Sequence, residues 1–595
     1  MKHNKLYILV AMIVLSSMIL AACAAQATPT EVVTEAPATE APVVPTTPPI
    51  VVPTAVPTEE PTAAPVFEGI SLSAPDCSYG GEFKSIEAVD ELTVKFTLCV
   101  PDPAFLQKVA FAVFPVYSSQ YLEETGGGGQ LLDVAVGTGP YMLSEWKKGD
   151  EMVFVQNPTY WGEPAKSPTL VFRWSSEAAQ RLLELQSGTV DGIDNVGPAD
   201  FDTVKNDPNL QMLERPALNI FYVGMNNTYP PFDNEQVRQA IAMGIDRQRL
   251  VDNFFPAGSE VATHFTPCAV PNACTGEDWY AFDPVKAKQM LADAGFANGF
   301  DTTITYRDVV RGYLPQPGVV AQDIQAQLKE NLNITAEIVV MESAAFLDAT
   351  AAGEVGGLHL LGWTGDYPDM TNFMDYHFGA GSSKQFGTHW DDITSNLTQA
   401  AQLANDAARA PFYEAANNAI RQHVPMLPIS HGGSAVAYKA TVQNPNVSAL
   451  GNEYFPPMFI EGQDTFVWMQ NAEPISLYCG DETDGESIRA CLQVQEGLYR
   501  YKTGETTVEP MLATSCDPNT ELTEWTCHLR ENITFSNGDT LDANDVTETF
   551  IMMWDASNPL HVGRSGLFEY YNSLWGSFLN PPPPPTPEPT AQPTP

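Results

Sequence analysis

The chain has 595 residues, with 29 basic against 73 acidic residues and a formal net charge of −44. That balance disfavours nucleic acid as a partner, because phosphate binding needs a basic patch. Charged residues make up only 17%, below the roughly 25% usual in globular chains. The chain therefore has an acidic imbalance rather than a dense ion-paired surface, and its length predicts two or more lobes.

Lys2 and Lys5 precede an apolar run from Leu6 to Leu20, which ends in Leu20-Ala21-Ala22-Cys23. This is the layout of a secretory signal over residues 1–23. Its ending resembles the bacterial lipobox, which implies cleavage before Cys23 and a diacylglycerol on the Cys23 thiol. The alternative is an uncleaved membrane helix, since Leu6 to Ala25 is long enough to span. Both readings place the folded part outside the cytoplasm and held at the cell membrane, on the cell surface or in the periplasm. Residues 24–66 are rich in Pro and Thr without apolar periodicity and read as an extended tether. Residues 581–595 form a second Pro-rich tail, and both tails are expected to be disordered.

Strands and helices alternate between the tails. Leu92, Val94, Phe96 and Leu98 alternate with polar residues, as in a half-buried strand. The Gly126 to Gly129 run lacks the ending of a phosphate loop and is expected to be a flexible surface loop. Ala179, Leu182 and Leu183 mark a helix that ends before Ser187-Gly188-Thr189-Val190-Asp191. Asp283 caps a helix with Pro284 at its first position, Ala287, Met290, Leu291 and Ala294 as its stripe, and Gly295 at its end. A strand from Thr302 to Val310, a helix marked by Val320, Ile324 and Leu328, and a strand from Thr335 to Val340 then indicate an α/β lobe. Trp525, Cys527 and Leu529 form one face of a late strand, entered through Asp517-Pro518-Asn519. All these stripes are read as core packing.

Setting Cys23 aside, eight cysteines remain, an even number suited to an oxidising compartment. They fall into local pairs: Cys77 with Cys99, Cys268 with Cys274, Cys479 with Cys491, and Cys516 with Cys527. Metal binding is the competing reading, but no C-x-x-C pair occurs. The sequence contains no G-x-S-x-G, H-E-x-x-H or spaced Cys/His ligand set, so catalysis is not expected. His423 and His431 flank the apolar run Val424 to Ile429 and read as structural histidines.

Several motifs together carry a family resemblance. They are Gly137-Thr138-Gly139-Pro140-Tyr141, Val237-Arg238-Gln239-Ala240-Ile241, Ile245-Asp246-Arg247 and Gly362-Trp363-Thr364-Gly365-Asp366, with Thr526-Cys527-His528-Leu529-Arg530 and Asp542-Ala543-Asn544-Asp545-Val546 near the end. The chain resembles the family 5 extracellular solute-binding proteins, the peptide and nickel receptors of ABC importers. The resemblance implies an α/β fold of the two-lobed periplasmic-binding-protein type (class II, cluster C), closing on ligand about a hinge. Residues 465–580 resemble the family's opening segment, and residues 67–462 resemble its middle and closing segments. The implied order is a circular permutation, with a gene-model error or a truncated tandem duplicate as the alternative. The mapping gives lobe I as residues 67–221 and 430–580 and lobe II as residues 222–429. Hinge crossings are expected near Asn219 to Asn226 and Leu427 to Gly433, and Gly451 to Gln463 serves as a connector.

The resemblance also implies a site. Asp366 matches the aspartate that holds a peptide's amine in dipeptide-binding relatives, and Arg311 matches their carboxylate-binding arginine. Trp363 and Tyr313 are expected as aromatic walls. Gly312 and Leu314 replace residues usual in those relatives, which leaves the ligand open among peptides, a nickel chelate, haem or an oligosaccharide. A surface or signalling module without transport is the further alternative. Nickel is less favoured because no histidine lies in either motif, His359 and His377 being nearest. The implied partners are a small solute and a membrane permease, with the receptor itself a monomer and no cofactor.

Overall fold

The computed structural model describes residues 67–581, apart from 257 and 310. The signal segment, Cys23, the 24–66 tether and the tail beyond 581 lie outside the described residues. The described chain is mixed α/β, built on three large sheets.

The first sheet joins the two ends of the chain. Its five strands lie in the order Ser71–Ser73, Phe83–Asp90, Thr93–Leu98, Glu524–Leu529, Ala513–Pro518. The alternation at 92–98 buries Val94, Phe96 and Leu98, and that of Glu524–Leu529 buries Trp525, Cys527 and Leu529. The two strands pair antiparallel, with Val94 opposite Cys527. Above them Phe105 stacks on Trp525 at 4.8 Å, and Phe83 meets Trp575 at 4.8 Å. Residues more than 400 positions apart in sequence thus share one aromatic core, where each ring buries on the order of 150–250 Å².

The Gly-Thr-Gly-Pro-Tyr motif belongs to the same union. A Cβ on Gly137 would lie 2.0 Å from the Val494 carbonyl oxygen, and one on Gly139 would lie 2.7 Å from the Val494 carbonyl carbon. Only glycine lets the two backbones meet so closely. Between them, Thr138 donates to the buried Glu496 carboxylate at 2.8 Å, alongside Tyr160 and Trp161. Burial pushes Glu496 up to about 7 against these three donors.

The second sheet has seven strands, ordered Tyr141–Lys147, Glu151–Gln156, Thr169–Trp174, Thr465–Gln470, Gly192–Ile193, Ser434–Lys439, Leu210–Arg215. Thr465–Gln470 inserts parallel between Thr169–Trp174 and Gly192–Ile193. The third sheet comes from the middle of the chain. It runs Glu260–Val261, Met426–His431, Asn219–Met225, Leu358–Thr364, Asp301–Arg307, Thr335–Met341 and carries its own core with the helices Pro284–Asp293 and Pro317–Leu332. Asp283 caps the first of these helices through the Lys286 amide. Arg238 and Arg247, from two of the motifs, are spent on backbone carbonyls, Arg238 on Phe232 and His423 and Arg247 on Pro428 and Tyr280.

The chain passes between the second and third sheets twice, at residues 216–218 and 432–433. The second falls within Leu427 to Gly433 and the first immediately before Asn219 to Asn226, near where the sequence predicts the crossings, though most of both stretches does not cross. Asn219–Met225 and Met426–His431 are instead paired central strands. Asn219 clasps the two passages together, donating to the Gly432 carbonyl at 2.9 Å and accepting from the Gly432 amide at 2.7 Å. His431 bonds the Asn219 carbonyl through Nδ1. His423 contacts Glu235 and Asp392 and stacks on Trp390.

Three further expectations change. Leu183 is 58% exposed, because the buried face of helix Ala178–Ser187 runs through Arg181, Leu182 and Leu185. The Gly126–Gly129 run is no free loop, since Gly127 packs against the Leu560 backbone and accepts from the Gly563 amide. The 451–463 connector is partly core, with Glu453, Phe455 and Met458 buried. All four cysteine pairs are disulfide-bonded: Cys77–Cys99, Cys268–Cys274, Cys479–Cys491 and Cys516–Cys527.

Glu453 belongs to a buried quartet with Asp194, Arg215 and Arg489. Arg215 reaches Glu453 at 2.7 Å and Asp194 at 2.5 Å, and Arg489 reaches both at 2.9 Å. Burial alone would raise Asp194, but the guanidiniums of Arg489 and Arg215 hold it down to about 2. Its folded pKa thus lies below the unfolded one. The stabilisation it gives is fully present above about pH 4 and is lost as pH falls towards 2. Arg489→Met should lower the unfolding free energy by about 3–5 kcal/mol, the cost of stranding a buried charge, as read by chemical denaturation at neutral pH.

Candidate functional site

The strand Leu358–Thr364 ends in Gly362-Trp363-Thr364, and the chain turns at Gly365-Asp366. Two close approaches require the glycines. A Cβ on Gly362 would lie 2.3 Å from both the Ile220 carbonyl oxygen and the Tyr313 ring, and one on Gly365 would lie 2.7 Å from the Phe373 ring. Tyr313 can therefore lie flat against the strand. The strand expected to run to Val310 ends at Arg307. The chain then folds back, with Arg311 and Leu314 bridged, and this turn carries Arg311 and Tyr313 over Gly362.

Arg311, Tyr313, Trp363 and Asp366 all line one cavity of about 460 Å³. Tyr313 is buried and its hydroxyl accepts from Arg307 at 3.3 Å. Trp363 is half-buried and stacks on Tyr376 at 4.1 Å. Arg311 is exposed at the rim. Arg307, Tyr376, His377 and Gln385 also line it and belong to no motif of the sequence. His377 lies inside the pocket, while His359 is fully buried behind it. The signal that could have found His377 was its place one turn after Phe373, whose carbonyl it bonds through Nδ1 at 2.7 Å.

Asn372 ties the site together. Its Oδ1 accepts from the Trp363 indole at 3.1 Å and from the Asp366 amide at 2.9 Å, while its Nδ2 donates to the Asp366 carboxylate at 3.2 Å. Asn372 sits in a π-helical turn, Thr371–Asp375, of the kind found at functional sites. The turn is pinned by Asp369, which takes both Arg409 nitrogens at 2.7 and 2.8 Å.

Asp366 borders two more cavities, of about 360 and 300 Å³. Their other walls come from the end segments of the chain: Glu82, Asp102, Lys108 and Leu574 in one, and Phe111, Ile488 and Tyr570 in the other. Asp366 thus faces a crevice between the third sheet and the body formed by the two ends. Lys108, on the far side, is engaged by Glu82 at 2.9 Å and Asp102 at 3.0 Å. Among the described residues no ion pair holds Asp366, and burial raises its pKa above the usual carboxylate range against the one Asn372 bond.

The family model for bacterial extracellular solute-binding proteins, family 5 (Middle), matches residues 56–385 and 507–566, more than half of the chain. The chain belongs to that family. It is 31% identical over 380 residues to di/tripeptide-binding protein 3 of Pseudomonas aeruginosa, covering 62% of this chain and 70% of that one. Against heme-binding protein A of Haemophilus influenzae it is 29% identical, covering 64% and 70%. Among solved structures, HbpA2 of Haemophilus parasuis superposes with a TM-score of 0.61 at 30% identity, over 64% of this chain and 76% of that one.

Gly362→Ala should cost about 1–3 kcal/mol through overpacking and displace Tyr313. A lower melting temperature, with loss of whatever ligand the wild type binds, is the expected readout.

Proposed function

We propose that the protein is the lipid-anchored, extracytoplasmic receptor of an ABC importer, which captures a peptide in the crevice and delivers it to a membrane permease. The observation that carries this is Asp366, a half-buried carboxylate without an ionic partner among the described residues, set between aromatic walls with the Arg311 guanidinium on the same cavity. A zwitterionic peptide supplies an ammonium for the first and a carboxylate for the second. Each charge-assisted bond is worth roughly 1.5–3 kcal/mol. Arginine's planar fork suits a carboxylate end. The relatives named for dipeptides and for di/tripeptides support this reading. In it, the passages at 216–218 and 432–433 act as the hinge between lobes, and Cys23 carries the anchor.

The reading includes a permuted segment order. Its support is that the late segment completes the sheet and core begun by the early one: Asn544 receives the Ile70 amide at 2.8 Å, and the Trp575 carbonyl receives the Glu82 amide at 2.8 Å. Gly462 sits exposed at positive φ with open space around it, the kind of site at which a chain tolerates new ends. A reordered protein running 463–580 and then 67–462 through a short linker should fold and bind with unchanged affinity. Failure of that protein to fold would count against the permuted order.

Asp366→Asn should weaken peptide binding by about 2 kcal/mol or more, with the melting temperature of the ligand-free protein nearly unchanged. Because an ammonium requires the ionised carboxylate and the Asp366 pKa is raised, affinity should fall on acidification before ordinary carboxylates titrate. Isothermal titration calorimetry of wild type and variant across pH checks both. Haem binding without peptide binding, or equal peptide affinity in the two proteins, would remove the reading.

A further inference from the structure

The pocket behind Trp363 has a chemistry the charge pair at its mouth does not use. Its walls are aromatic and aliphatic: Trp363 stacked on Tyr376, with Leu347 and Leu361. Three uncharged polar residues, Thr350, His377 and Gln385, line it as well. Thr350 is 2% exposed, lines the cavity, and its hydroxyl has no hydrogen-bond partner. Gln385, 6% exposed, accepts the Tyr222 hydroxyl on Oε1 at 2.8 Å, and its amide nitrogen has no acceptor among the described residues. His377, which lines the cavity, donates from Nδ1 to the Phe373 carbonyl, which leaves Nε2 as an acceptor. Burial pushes His377 down to about 4, so the ring is neutral at physiological pH.

Buried polar groups left without partners are uncommon in folded proteins, and each carries a desolvation cost. Here an idle hydroxyl, an amide donor and an imidazole acceptor line the same largely apolar cavity. Arg307, a cation that also lines the cavity, already gives its end nitrogens to Ser343 and Tyr313. A purely hydrocarbon side chain would leave the buried Thr350 hydroxyl unpaired. An aromatic ring with a hydroxyl at its far end matches the walls by stacking and the polar groups by hydrogen bonding.

We infer that this slot is a side-chain subsite selecting tyrosine, with Thr350, Gln385 and His377 as the residues that read the phenol. The inference rests on the peptide reading above and adds the class of residue the peptide carries. A site built to hydrogen-bond a hydroxyl discriminates strongly against the analogue lacking it, whereas an apolar pocket separates near-isosteres only weakly.

The test is calorimetric titration of the full chain with alanyl-tyrosine against alanyl-phenylalanine and with tyrosyl-alanine against phenylalanyl-alanine, repeated on Gln385→Leu and Thr350→Val. In the wild type, the tyrosine peptide of at least one pair should bind about tenfold or more tighter than its phenylalanine partner. Both variants should reduce that ratio to about twofold, with the melting temperature of the ligand-free protein reporting an intact fold. Peptides that bind with no tyrosine preference in either pair would overturn the subsite and leave the peptide reading standing. A preference that survives both substitutions would overturn the assignment to these residues. No binding of any of the four peptides would overturn the subsite together with the peptide reading it rests on.

Discussion

Four buried charges hold the architecture together. Asp194, Arg215, Glu453 and Arg489 come from four stretches of chain: the turn after Gly192–Ile193, the strand leading into the third sheet, the 451–463 connector and the helix Gly485–Val494. Each ion alone would be expelled by its desolvation cost. Together they neutralise one another two against two, with hydrogen bonds on every member. The quartet therefore forms only when all four stretches are in place. It fixes the end of Leu210–Arg215, from which the chain enters Asn219–Met225, and so bears on where the crevice opens.

The candidate site depends on that placement and on two local devices. Gly362 lets a tyrosine lie on the strand, and Asn372 sets the spacing of Trp363 and Asp366 through three hydrogen bonds. The electrostatics sharpen the point. This is a strongly acidic chain, yet several of its most buried acids are answered: Asp369 by Arg409, Asp194 by two arginines, Glu496 by three neutral donors. Asp366 has only an asparagine. A carboxylate kept half-buried and under-compensated beside a cavity is a standing demand for a cation, and the acidic surroundings of the crevice reinforce that sign.

The sequence by itself determined the pieces whose physics is local. Alternation at 92–98 and 524–529 gave strands, Asp283-Pro284 gave a helix start, and the even, locally spaced cysteines gave the disulfide pairs. The resemblance of Gly-Trp-Thr-Gly-Asp and Arg-Gly-Tyr to motifs of the family singled out four residues that line one cavity. The length of the 301–307 strand, the role of the 126–129 glycines and the buried part of the connector were not legible, since each depends on packing partners distant in the chain. Only the tertiary structure decided which polar residues face the pocket: Thr350, His377 and Gln385 sit on three separate segments with no shared pattern. Sequence periodicity reports which face of an element is buried, but whether that face meets a core or a cavity is set by what packs against it.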